Sequence, residues 1–184
     1  MEQMGNGRAP AKKSPLREIV ESLIIAVVLA VLIRMFVLQP FYIPSGSMEP
    51  TLMINDRIIV SKISYRLHQP EQGDIVVFKY PKDTKRDFVK RLIAKGGDTV
   101  EIRDNKLYIN NKLVPEKYLP EGLVMKGDYG PEQVPEGSYF MMGDNRNNSD
   151  DSRTWGFLPK ELVIGKAVVL YWPLQHMRII SDGK

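Results

Sequence analysis

The chain has no cysteine and only two histidines, His68 and His176. Thiol nucleophiles, disulfide frameworks and thiolate metal sites are therefore excluded, and His-rich metal or imidazole chemistry is disfavoured. The two histidines share no spacing that makes a dyad and are expected at the surface. A nucleophile in this sequence would have to be Ser, Thr or a carboxylate, and its base could be Lys. One stretch has a suitable form, Pro44-Ser45-Gly46-Ser47-Met48-Glu49-Pro50-Thr51. Two hydroxyls flank Gly46, which lets the backbone bend and approach a substrate, while Pro44 and Pro50 stiffen the approaches. A harmless surface turn has the same composition, so the stretch alone does not decide.

A lysine base must be neutral at working pH, although its reference pKa is about 10.4. Burial among apolar groups is what lowers it. Period-two alternation shows which lysines a strand could bury in that way. Lys90 shares a face with Phe88 and Leu92, Lys79 with Val77, and Lys62 with Ile58 and Val60. Periodicity shortlists these three and does not choose among them. A third polar constellation runs from Gly143 through Asp144, Asn145, Arg146, Asn147, Asn148, Ser149, Asp150, Asp151 and Ser152 to Arg153. So many short polar side chains predict a loop held by its own hydrogen bonds, with Arg146 and Arg153 able to pair carboxylates. A calcium loop of EF-hand type fails on spacing, because Ser149 stands where the sixth-position Gly is required. No metal and no cofactor is expected.

These residues need a scaffold, and 184 residues give room for one domain of ordinary size. Short runs rich in Val, Ile, Phe and Tyr between turn signals predict an all-β sandwich or barrel. Strands are expected at Arg57–Ile63, Asp74–Tyr80, Asp87–Ile93, Thr99–Arg103, Lys106–Ile109, Tyr139–Met142 and Lys166–Trp172. Asp104-Asn105 and Asn110-Asn111 suit hairpin turns, since Asn and Asp tolerate positive φ. Apart from a turn at Pro159–Leu162, no helix is expected in this part, and Pro115–Gly137 reads as a loop excursion.

Ahead of the β-rich part, Leu23–Ile33 is an unbroken apolar run inside the window Ile19–Leu38, which only Glu21, Ser22 and Arg34 interrupt. As a helix that window is about 30 Å long, enough to cross the hydrocarbon layer, with Arg34 able to snorkel. A removable signal peptide and a buried core helix are the competing readings. The residues just after the run, Met35–Pro44, offer no small-x-small cleavage site, so a retained anchor is favoured. Residues 1–18 carry four basic side chains against two acidic ones, which places the amino terminus in the cytoplasm and everything after Leu38 outside. The expected organisation is thus a basic cytoplasmic tail at 1–18, a transmembrane anchor at 19–38 and an exported β-rich domain at 39–184. Nine residues separate Leu38 from Ser47, a tether of at most about 30 Å, so Ser47 would act close to the outer membrane surface. The net charge of +4 is not gathered into a long basic run, and nucleic-acid binding is not suggested.

The anchor, Pro44-Ser45-Gly46-Ser47-Met48-Glu49-Pro50-Thr51-Leu52, Gly73-Asp74-Ile75-Val76-Val77-Phe78-Lys79-Tyr80-Pro81, Phe88-Val89-Lys90-Arg91 and the Gly143–Arg153 loop followed by Trp155-Gly156 together resemble bacterial type I signal peptidases. The blocks stand in that family's order. The resemblance implies a membrane-bound Ser/Lys endopeptidase that removes signal peptides from exported preproteins, with those peptides and the lipid bilayer as partners. It implies Ser47 as nucleophile and Lys90 as general base, and an oxyanion hole from the Ser45 hydroxyl and the Ser47 N–H. Ser149 matches the hydroxyl that orients the lysine, and Asp151 with Arg153 the pair that supports the loop. Phe41, Ile43, Pro44, Met48, Leu52, Ile58, Val77, Phe88 and Val89 match the lining of shallow apolar substrate pockets, along which the substrate lies as an added strand. The chain departs from the family at Ala94-Lys95-Gly96-Gly97-Asp98, where Gly-Leu-Pro-Gly-Asp is usual. It also lacks room for the large second β domain of longer members, which implies a minimal catalytic core. Two other readings are a self-cleaving Ser/Lys repressor-like protease, which needs a DNA-binding domain where the apolar run stands, and a β domain that binds a strand without cutting it.

Overall fold

The structure, a computed structural model, describes residues 14–180 in two units, one ending at Phe36 and the other beginning at Val37. In the first, α1 spans Pro15–Phe36. Pro15 suits the first helical position, where its fixed φ is already helical and its missing N–H would have had no partner. The helix is 22 residues long, none of them buried, and it is long and apolar enough to cross a membrane. Arg17 Nε donates to Glu21 Oε1 at 2.9 Å one turn on, so the acidic residue in the apolar window is neutralised locally. The helix starts four residues before the expected Ile19 and stops two before Leu38, because Leu38 is taken by a strand. Residues 1–13 of the expected basic tail lie outside the described residues.

The second unit is built on strands, as the alternation predicts. Along the chain come β1 (Leu38–Tyr42), β2 (Arg57–Ser61), the one-turn helix α2 (Ser64–Leu67), β3 (Ile75–Tyr80) and the long β4 (Asp83–Lys95). β5 (Thr99–Arg103), β6 (Lys106–Ile109), β7 (Lys112–Leu113) and β8 (Tyr129–Gln133) follow. Then come β9 (Ser138–Met142), α3 (Ser152–Trp155), β10 (Leu158–Pro159), β11 (Val163–Trp172) and β12 (Arg178–Ile179). One sheet runs β1-β2-β11-β3-β4-β9-β10 with β12 beside β11; a smaller one runs β7-β6-β5-β8. All pairings are antiparallel.

Both Asx hairpins form. Asp104, Asn105, Asn110 and Asn111 all adopt φ between 49° and 63°, and Arg103 pairs with Lys106 across the first turn. The expectation of a loop excursion over 115–137 is corrected at one stretch, since Tyr129–Gln133 pairs with β5 as an edge strand. The expected absence of helix is corrected too. α2, α3 and 3-10 turns at Gly46–Met48 and Leu174–His176 join the one at Lys160–Leu162. Each is a single turn, too short for any 3.6-residue apolar period to be visible. The Ala94–Asp98 departure is an ordered turn, in which the Asp98 carboxylate accepts from Lys95 N at 2.9 Å and Gly97 has φ of 89°.

Strand β4 positions the chemistry. Its first five residues are exposed, whereas Lys90 to Ala94 are all buried, because β4 crosses from a projecting hairpin into the body of the domain. Leu92 packs with Phe78 and Met141, while Ile93 and Ala94 pack on the opposite face with Val100 and Phe140. β4 pairs with β3 along its outer half but with β9 only from Arg91 onward. Ahead of Arg91, one backbone edge of β4 has no strand beside it among the described residues.

Candidate active site

Ser47 sits in the 3-10 turn Gly46–Met48 and Lys90 on β4, and the fold brings Lys90 Nζ to 2.7 Å from Ser47 Oγ. The amine's other polar partner is the Val89 carbonyl at 3.0 Å. Lys90 is 3% exposed and Ser47 8%. Burial pushes the lysine down to about 8, against the attraction of Asp151, Asp150 and Asp144, each of which works to raise it. The Phe88 ring lies 5.2 Å from Nζ. Of the other shortlisted lysines, Lys79 is exposed and pairs with Asp87 at 3.4 Å, and Lys62 is half-buried at the end of β2. Neither is desolvated as a base requires.

The nucleophile's turn is held from the 143–153 loop. Asn145 N donates to the Ser47 carbonyl at 3.1 Å and Asn145 Nδ2 to the Gly46 carbonyl at 2.9 Å. Gly143 is obligatory here: a Cβ on it would overlap the Ser47 carbonyl oxygen and Ser149 Oγ. Ser149 thus lies against the loop backbone beside the nucleophile. Its hydroxyl is buried and makes no hydrogen bond, so it reaches neither Lys90 nor any other group in this conformation. Ser45 precedes the 3-10 turn in extended conformation, is exposed, and spends no side-chain bond on capping, which leaves its hydroxyl available. As the second residue of a one-turn helix, Ser47 has no intrahelical acceptor for its N–H.

Asp151 and Arg153 pair as expected. Arg153 Nε and Nη2 each reach an Asp151 oxygen at 2.8 Å, and Asp151 Oδ2 accepts from Gly143 N at 3.1 Å. Arg153 Nη2 also donates to the Arg146 carbonyl at 2.6 Å.

Of the expected pocket residues, Ile43, Met48, Leu52, Ile58 and Val77 form one buried apolar cluster, with Phe41 and Val89 packed against it. The five buried ones are 0–2% exposed and form the wall behind the site; Phe41 and Val89 present surface that a substrate side chain can touch. Phe88 packs instead with Phe78, Tyr80 and Trp155, and Pro44 is exposed at the rim.

A second buried layer lies behind these residues, of which the sequence indicated only that Arg146 could pair a carboxylate. Arg91 Nε and Nη2 fork Asp144 at 2.8 and 2.6 Å, Arg91 Nη1 donates to the Gly73 carbonyl at 2.7 Å, and Thr51 Oγ1 donates to Asp144 Oδ2 at 2.5 Å. Arg146 is forked by Glu116 and is 2% exposed. Next to Lys90 in a strand, Arg91 had to point to the opposite face, and a buried guanidinium demands a carboxylate. That signal was readable; which carboxylate answered it was not. Asn145 gave no signal beyond its place in a polar loop.

Residues 16–172 match the family model for signal peptidase, peptidase S26. The chain is 45% identical over 171 residues to a probable signal peptidase I-2 of Synechocystis, covering 90% of this chain and 77% of that one. It is 41% identical over 184 residues to a signal peptidase I of Bacillus licheniformis, covering 95% and 98%. Among solved structures, a signal peptidase I from Enterococcus faecalis is 36% identical with a TM-score of 0.48, covering 54% of this chain and 97% of that one.

Proposed function

The chain belongs to the signal peptidase family, peptidase S26, and from that premise we propose that it cuts signal peptides from preproteins with Ser47 as nucleophile and Lys90 as base. The observation that carries the assignment of residues is the 2.7 Å approach of a buried lysine amine to a serine hydroxyl. A neutral Nζ takes the Ser47 proton as Oγ attacks the scissile carbonyl. The oxyanion that forms is met by the Ser47 N–H and the Ser45 hydroxyl, donors of a kind worth roughly 3–4 kcal/mol each in a dry site. The protonated amine then gives its proton to the leaving amine, which departs with the mature protein. Lys90, neutral again, takes a proton from the water that attacks the Ser47 ester and returns it to Ser47 Oγ as the ester bond breaks, which releases the signal peptide and restores both residues. Ser149, whose buried hydroxyl is not spent on another hydrogen bond, is assigned to steady the amine.

Among the described residues, the edge of β4 ahead of Arg91 that leads to the dyad has no strand beside it, and β1 is likewise bonded on one side only. An extended peptide can add to such edges with its carbonyl brought to Ser47, its small side chains meeting Phe41 and Val89. α1 anchors the protein in a membrane, and the excess of basic residues before it favours a cytoplasmic amino terminus with the β domain on the outer face. Because strand β1 begins two residues after α1 ends, the Ser47 turn stays within a short tether of the lipid surface. A signal peptide arrives there with its cleavage site emerging from the bilayer.

The test is cleavage of a preprotein by the full chain in detergent, with the product's new amino terminus sequenced, alongside Ser47→Ala. The reading expects one cut after a small residue with the wild type and none with the variant. Equal processing by both would remove Ser47 from the chemistry.

A further inference from the structure

The segment 114–127 belongs to no sheet, yet its contacts converge on the loop behind the dyad. Glu116 forks the Arg146 guanidinium, with Oε2 2.7 Å from Nη1 and Oε1 bonded to Nη2. Tyr118 accepts from Arg146 Nη2 at 3.2 Å and donates to Glu116 Oε1 at 2.6 Å. The face of the Tyr118 ring lies against the other buried arginine, its centroid 3.8 Å from the Arg91 guanidinium carbon. Arg146 Nη1 meets Met125 Sδ at 3.5 Å. Further along, Asn147 bonds Lys126 N at 2.9 Å and the Val124 carbonyl at 2.8 Å.

The two arginines are the joints of the active-site frame. Arg91 follows Lys90 on β4 and grips Asp144; Asp144 precedes Asn145, which grips the carbonyls of Gly46 and Ser47. Arg146 follows Asn145, and its Nε holds the Gly143 carbonyl at 3.1 Å. The separation between the lysine's strand and the serine's turn therefore runs through Arg91, Asp144 and Asn145. In-plane hydrogen bonds hold Arg91 to Asp144 and to the Gly73 carbonyl, and the Tyr118 ring on its face limits motion out of that plane. Arg146, held at Nε by the Gly143 carbonyl, is fixed at its far edge by the Glu116 carboxylate.

We propose that Glu116 and Tyr118 are positioning residues for the Ser47–Lys90 pair, acting through Arg146 and Arg91 to fix the frame that sets the distance between hydroxyl and amine. This rests on the assignment of Ser47 and Lys90 above. Neither residue bonds to either member of the pair; what they contribute is orientation of the two guanidiniums. A small misplacement of reacting groups costs up to about a hundredfold in rate without weakening substrate binding.

The experiment measures kcat and KM for preprotein cleavage by the full chain in detergent, well below each variant's melting temperature, for Tyr118→Leu, Tyr118→Phe, Glu116→Gln, Asn145→Ala and Ser47→Ala. Tyr118→Leu and Glu116→Gln are expected to lose about ten- to a hundredfold in kcat with KM within about twofold. Tyr118→Phe, which keeps the face over Arg91, is expected to retain most of kcat. The losses in Tyr118→Leu and Asn145→Ala should fall short of multiplying when combined, because both act through one frame. Normal kcat in folded Tyr118→Leu, a Phe variant as impaired as Leu, or strictly multiplied losses would overturn the proposal. If Glu116→Gln does not fold, the Leu and Phe pair at residue 118 decides alone. Should Ser47→Ala still cleave, the dyad itself fails, a result distinct from all of these.

Discussion

Lys90 and Arg91 are neighbours on one strand, equally buried at 3% and 1% exposed, and the protein treats them in opposite ways. Arg91 receives a carboxylate in bidentate geometry, a backbone carbonyl and an aromatic face. Lys90 receives a hydroxyl and one carbonyl, and no carboxylate among the described residues bonds to it. Burying a charge is costly unless it is paired and hydrogen-bonded. On the Arg91 face the cost is met by pairing, so the guanidinium stays charged and rigid. On the Lys90 face it is left standing, so the amine sheds its proton more readily. The difference separates a structural cation from a base.

The sharpest way to break this contrast is to put the wrong cation at position 90. Lys90→Arg retains the charge but cannot release a proton, and cleavage should fall by about 10³-fold or more in a steady-state assay. Near-normal turnover would end the role of a neutral base. Next, removing the carboxylate from the paired side should unfold what it holds. Asp144→Ala strands Arg91 and should cost roughly 3–5 kcal/mol in denaturant-induced unfolding. Removing the unpaired charge should do the reverse. The pKa of Lys90 is lower in the folded than in the unfolded chain, so wild-type stability rises with pH between about 8 and the ordinary lysine range. Lys90→Met lacks that dependence. It should be more stable than the wild type below about pH 8 by on the order of 3 kcal/mol, with the gain shrinking as pH rises. The smallest effect sharpens the picture from outside. Exposed Asp150 holds the lysine's pKa up, and Asp150→Asn should move the alkaline rise in kcat/KM a few tenths of a unit toward lower pH. An unmoved or upward-shifted profile would contradict that influence.

Much of this was legible from residues alone. The alternation that grouped Lys90 with Phe88 and Leu92 is seen in the structure, where both flank one apolar cluster, and the Asx hairpins fell where Asn and Asp could take positive φ. Alternation could not choose among three lysines, because it reports which face a residue shares and not whether that face is covered. Lys79 lies on a strand of buried residues and still reaches solvent. The family's blocks made the choice that periodicity could not. The excursion at 114–127 stayed opaque for a different reason. Its order comes from Glu116 and Tyr118 meeting arginines some 30 residues away in sequence, a long-range pairing with no local pattern. Ser149 illustrates the remaining gap: its place beside the dyad follows from the motif, but its hydroxyl makes no hydrogen bond.

The proposed chemistry depends on one property, the protonation of a single amine. NMR titration of the Lys90 side chain, labelled in the full-length Ser47→Ala protein in detergent, reads it without turnover. A midpoint near pH 8 is the predicted result. A midpoint near the ordinary lysine value of 10.5 would contradict it.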